Sequence, residues 1–351
     1  MNSYHQNTQY RDSNESGLQL LNKYVAIDAS YRSRHPGQEC QPRTRGYILQ
    51  KLQNWINDGS SSKSVYWLHG PLGVGKSAIA QTISSMFCES KLAASFFFSR
   101  DDGKCNNFAF FFTTIAWQLA NNPVLGRKLR FFINEAVCNN RDILGQSHSL
   151  EQQYQAFIRN PVQQMNAQRQ EGNLQCFIVI DALDECMNVS DQKRLLSLLL
   201  QEAKAHCLPF KILIVSRSEP DFHKLFGQQQ YSVFLDQNEI GDSSQSSLDI
   251  QLFLEAKFKM IRDRPEHTQA MENAEQDWPG PARISRIVER ACGQFIYATT
   301  VINYVDDFNS ATNTPGVSVP EDQLAIVEKI QVPHIQQSPY TELDCLYMQV
   351  L

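Results

Sequence analysis

The strongest constraint on this chain is the octet Gly70-Pro71-Leu72-Gly73-Val74-Gly75-Lys76-Ser77, a glycine, four intervening residues and then Gly-Lys-Ser. This is the phosphate-binding loop pattern. The strand-like run Val65 to His69 precedes it, and Ile79, Ile83, Met86 and Phe87 follow at helical spacing. Glycines let the backbone curl so that successive N–H groups face phosphate oxygens, and the helix behind adds the positive end of its dipole. Lys76 would reach the β- and γ-phosphates, and the Ser77 hydroxyl would bind Mg²⁺. A Gly-rich turn that binds nothing needs no Lys-Ser beside its last glycine.

A second stretch, Cys176-Phe177-Ile178-Val179-Ile180-Asp181-Ala182-Leu183-Asp184-Glu185, is an apolar run that ends in acids, the Walker B pattern. A buried parallel strand would deliver Asp181 to its C-terminal edge, where open α/β sheets bind ligands, and Asp181 would hold Mg²⁺ through water. Glu185 is the first candidate for the base that activates an attacking water, and Asp184 the second. Phe210 to Ser216 forms another buried strand, so that Arg217 faces the same edge as a γ-phosphate sensor.

The 351 residues, 42% apolar and 20% charged, are enough for a sizeable core and two globular units. A formal charge of -5 gives no bulk electrostatic case for nucleic acid. No apolar stretch approaches the roughly 20 residues of a membrane span. Nine scattered cysteines without a Cys-x-x-Cys pair point to reduced thiols in a cytoplasmic protein.

Along the chain, residues 1–43 form a polar N-terminal segment with a short helix around Leu18 to Val25. A helix capped by Thr44 carries Ile48, Leu49, Leu52, Trp55 and Ile56 on one face. The second strand falls at Ala94 to Phe98. Helices follow through Phe112 to Leu119, after Asn122-Pro123, and from a Ser149/Gln152 capping box up to a break near Asn160-Pro161. Ser190 is the expected cap of a Leu-rich helix, and Tyr231 to Leu235 the fifth strand. Past Glu239 only helical patterns remain: Ile250 to Ile261, Ala282 to Cys292, Phe295 to Val305, Pro320 to Ile330 and Pro339 to the end, with a linker at Asn309 to Val319.

The octet, Asp181-Ala182-Leu183-Asp184-Glu185 and Ser216-Arg217 together resemble the NACHT branch of the signal-transduction (STAND) NTPases, and in particular its fungal group. A small residue after the Walker B aspartate, then a displaced acidic pair, marks that branch. Weaker echoes are Pro42-Arg43-Thr44-Arg45, Phe96-Phe97-Phe98-Ser99-Arg100 and Phe295-Ile296-Tyr297-Ala298. The resemblance implies an α/β P-loop NTPase fold with a five-stranded parallel sheet in the order 5-1-4-3-2, flanked by helices and followed by a smaller all-α subdomain. The expected divisions are a nucleotide-binding domain over 44–238, a helical subdomain over 239–337 and the start of a truncated winged-helix domain over 338–351. The family's Gly-x-Pro helix start is Gly293-Gln294-Phe295 here.

Such proteins look like switches in intracellular signalling, closed with ADP or GDP and competent for self-association or for binding other signalling proteins with ATP or GTP. Two further readings fit the same residues. One is a non-catalytic interaction module that nucleotide merely stabilises, the other a P-loop enzyme that transfers phosphate to a small acceptor.

Overall fold

A computed structural model describes residues 16–33, 38–144, 149–167, 175–207, 209–268, 271–272, 274–306, 320–330, 344–346 and 348. Its centre is one sheet of five parallel strands: β1 (Val65–His69), β2 (Leu92–Phe97), β3 (Phe177–Asp181), β4 (Lys211–Ser216) and β5 (Leu235–Glu239). The spatial order is β2-β3-β4-β1-β5, the order the resemblance implied. Strand β4, which leads into Arg217, thus lies between β1, which leads into the octet, and β3, which ends in Asp181.

Alternation along the strands divides the core into two faces. Tyr66, Leu68, Phe97, Val179, Leu213 and Val215 pack against helices α1 (Gly46–Asn57) and α2 (Lys76–Phe87). Trp67, Phe96, Phe98, Ile178, Ile180 and Ile214 pack on the other side. There they meet α3 (Phe111–Asn121), α4 (Gly126–Asn139), α5 (Val189–Lys204) and α6 (Pro220–Phe226). The three successive phenylalanines of the β2 region are therefore buried on both faces, each contributing roughly 1.5–3 kcal/mol.

After β5 the chain builds a third core from α7 (Ser244–Arg262), α8 (Pro281–Ala291), α9 (Phe295–Val305) and α10 (Pro320–Lys329). Among the described residues no helix is long and apolar enough to cross a membrane. The expected linker at Asn309 to Val319 and most of the final helix lie outside the described residues; 344–346 are helical.

Four local expectations are corrected. The fifth strand begins at Leu235 rather than Tyr231, because it is an edge strand whose Asp236, Gln237, Asn238 and Glu239 face partly outward and carry no apolar signal. The chain does not break at Pro161: a π-helical turn, Gln155–Arg159, widens the helix ahead of it, so the missing N–H and the ring are accommodated. Asn188, not Ser190, caps α5, its side chain accepting from the Ser190 N–H. Thr44 does not cap α1; its hydroxyl donates to the Gln41 carbonyl, and the N-cap is Arg45, with φ 57°.

The outer edge of β2 meets side-chain amides. Gln118 of α3 accepts from the Ser95 N–H (2.9 Å) and donates to the Ser95 carbonyl (2.7 Å). Asn122 donates to the carbonyls of Leu92 and Ala93. The N-terminal segment closes over the same region, with the Tyr31 N–H on Ser95 Oγ and the Ala26 N–H on Thr114 Oγ1.

Candidate functional site

The parallel register decides what meets at the C-terminal edge of the sheet. His69 pairs with Ser216, and Ile180 with Ile214, so the loop after β1, Asp181 at the end of β3 and Arg217 just past β4 emerge side by side. Gly75 has φ 86° and serves as N-cap of α2, whose first two residues are Lys76 and Ser77. The octet thus links the end of β1 through a loop to α2, with the helix N-terminus at the sheet edge.

A cavity of about 620 Å³ opens over this edge. Leu72, Gly73, Gly75, Lys76 and Ser77 form one wall, and Asp181, Ala182, Asp184, Glu185 and Arg217 another. Segment 38–45 closes one side, and Phe253, Lys257, Phe295, Ile296, Thr299 and Asn303 of α7 and α9 close the side facing away from the sheet. Of the octet, Gly70, Pro71 and Val74 stay off this lining. Val74 is buried in the core, and the carbonyls of Gly70 and Pro71 accept from Lys76 Nζ at 2.9 and 2.7 Å.

Burial holds the Lys76 ammonium below its ordinary pKa, with Arg217 adding to the effect; Asp184, Asp181 and Glu185 pull the other way without overcoming it. A phosphate beside the ammonium would favour its charged form and raise that pKa again.

Asp181 is fully buried and Asp184 nearly so. The turn between them rests on Ala182, which takes the left-handed conformation with φ 54° and starts the 3-10 turn Leu183–Glu185. Alanine lacks the bulk and β-branching that would make this backbone a genuine outlier. Asp184 is held by Arg217: its Oδ2 lies 3.1 Å from Arg217 Nε, and its Oδ1 accepts the Arg217 N–H at 3.0 Å. Glu185 is half-buried on the cavity wall.

Directly below the loop, His69 stacks on Trp67 at 3.9 Å between ring centroids and shares a hydrogen bond with Ser218 Oγ. Burial first, then His223 and Lys76, pulls its pKa down to about 4. Sequence reasoning passed over His69, although a histidine at the buried end of the loop strand is visible in the pattern.

It also treated Arg45 only as part of a motif. Arg45 is 6% exposed, donates to the Val74 carbonyl (2.6 Å) and to Ser246 Oγ (3.1 Å), and its guanidinium carbon sits 4.7 Å from the Phe295 ring centroid.

Residues 44–217 match the family model described as nephrocystin 3, N-terminal. No curated protein matches the chain. Among solved structures, the chain is similar to the one titled "Structure of C. elegans PCH-2", at 12% identity and a TM-score of 0.40, over 87% of this chain and 70% of that one. Residues 44–217, which contain the Gly70 to Ser77 loop, are a nucleotide-binding P-loop module similar to the nephrocystin 3 N-terminal, NACHT-like family.

Proposed function

We propose that this chain is a nucleoside-triphosphate-binding, slowly hydrolysing switch module of NACHT type. The observation that carries the reading is the common cavity: Lys76, Ser77, Asp181, Glu185 and Arg217 all line it, under a wall made by α7 and α9. The phosphates would lie along Gly70 to Ser77, held by backbone N–H groups and Lys76.

Ser77 and the buried Asp181 offer hard oxygen donors, a set that suits Mg²⁺. When bound, Mg²⁺ would supply charge neutralisation at the β- and γ-phosphates. Glu185 would orient water and accept its proton. Arg217 would respond to the γ-phosphate, and to do so it must exchange the Asp184 carboxylate for a phosphate oxygen. That exchange is the difference between a resting ADP or GDP form and an ATP or GTP form. In this reading the switch works in the cytoplasm, which suits nine cysteines that form no disulfide, and its output is self-association or contact with other signalling proteins.

The test is mass spectrometry of nucleotide co-purified with the folded protein, beside a Lys76→Ala variant. Bound nucleotide in the parent and none in the variant is the expected pair of results. Undiminished nucleotide in the variant would remove the octet as the site.

A further inference from the structure

The carbonyl side of the loop is held as firmly as its N–H side is open. The Gly73 carbonyl accepts the Ile296 N–H at 3.0 Å, in the first turn of α9. The Val74 carbonyl accepts Arg45 Nη2 at 2.6 Å. From the same guanidinium, Nη1 reaches Ser246 Oγ on α7 and lies 3.8 Å from Asp249 Oδ2, also on α7 and almost fully buried. Phe295 at the start of α9 covers the cation. One side chain therefore touches the loop backbone and both helices that close the cavity.

Burying this cation lowers its pKa, and Asp249 opposes that shift. A buried ion pair contributes little net stability but penalises any arrangement that separates its partners. In this placement of α7 the guanidinium donates to Val74 and Ser246 together and lies within ion-pair distance of Asp249. The Arg45 fork is planar and rigid, so a movement of the Val74 carbonyl must be followed by the α7 contacts or break them.

We infer that Arg45 is a positioning residue that transmits occupancy of the phosphate loop to α7 and α9, so that nucleotide binding sets the placement of the helical part. The inference rests on the nucleotide-site reading above. When anions draw the loop N–H groups inward, the peptide units of Gly73 and Val74 reorient, and Arg45 carries the change across to Ser246 and Asp249. The coupling is energetic and reciprocal: fixing the helical part must tighten nucleotide binding by the same factor.

The experiment is amide hydrogen exchange of the whole chain with and without Mg²⁺-ADP, for the parent, Arg45→Met and Arg45→Lys. A fourth protein, Asp249→Asn, keeps the size of every side chain and serves if the Arg45 variants do not fold. In the parent, Mg²⁺-ADP is expected to slow exchange at 70–77 and also along 244–262 and 295–305. In Arg45→Met the loop still gains protection, while the nucleotide-dependent change in the two helices falls at least fivefold. Arg45→Lys, able to satisfy one acceptor at a time, recovers part of it, and Asp249→Asn reduces it. A merely structural role would change exchange equally with and without nucleotide. If the helices respond to Mg²⁺-ADP in Arg45→Met as in the parent, or in Asp249→Asn where that variant stands in, the coupling is overturned and the nucleotide site stands. If the parent's own loop gains no protection, the nucleotide-site reading falls and takes the coupling with it.

Discussion

Asp184 grips Arg217 twice, through the side chain at 3.1 Å and through the backbone N–H at 3.0 Å. The carboxylate is 6% exposed and the guanidinium 31%. Removing the acid leaves a backbone donor and a half-buried cation without their acceptor. Asp184→Ala is expected to cost about 2–3 kcal/mol of stability, read from urea unfolding.

The same pairing distinguishes the two acids of the turn. Both line the cavity, but Asp184 is engaged with Arg217. Glu185→Gln is expected to keep Mg²⁺-nucleotide affinity within about threefold and to slow phosphate release roughly 10²- to 10⁴-fold, the usual contribution of a general base. Single-turnover hydrolysis checks this; an unaltered rate would move the base to another residue.

His69 makes stability depend on pH on the acid side. Its folded pKa of about 4 lies below the ordinary 6.5, so between these values the unfolded chain binds the extra proton. The stabilisation is fully present above about pH 6.5 and falls away as pH drops towards 4. From pH 7.5 to pH 5 this residue should account for a loss of about 2 kcal/mol. Urea midpoints at both values, for the parent and His69→Asn, are expected to show a shallower acid-side fall in the variant.

Gly73 has φ 79°, and a β-carbon there would collide with the Ile296 side chain. Gly73→Ala therefore combines backbone strain with a push against α9, and an expected loss on the order of 2 kcal/mol follows. Trimming the obstacle with Ile296→Ala should relieve the clash but not the strain. Thermal unfolding of the single and double variants separates the two contributions, which couple because the groups touch.

The sheet was legible wherever its strands are buried on both faces. Val65 to His69, Phe177 to Ile180 and Ile212 to Val215 are continuous apolar runs that end in polar residues. β5 was misplaced because only Leu235 among its residues is buried, so the apolar signal falls on the turn before it. Placement carried by short motifs is equally legible: the octet after β1, Asp181 at the end of β3 and Arg217 after β4 are expected at one edge, and Lys76, Asp181 and Arg217 line one cavity. Arg45 was not legible in this sense. Its partners Ser246 and Asp249 lie about two hundred residues downstream, and a single sequence carries no trace of a pairing made only by the fold. The backbone turn at Arg45, with positive φ, likewise replaced the cap that Thr44 offered locally.

The amides along β2 have a consequence for how copies of this molecule can meet. An edge strand with free N–H and C=O groups invites another strand to add to it, the usual start of sheet-to-sheet aggregation. Here Gln118 imitates that neighbour by donating and accepting at Ser95, and Asn122 occupies the two carbonyls before it. The chain thus supplies its own terminator for the growing sheet. Addition of a second copy's strand to the backbone of β2 would first have to displace these two side chains.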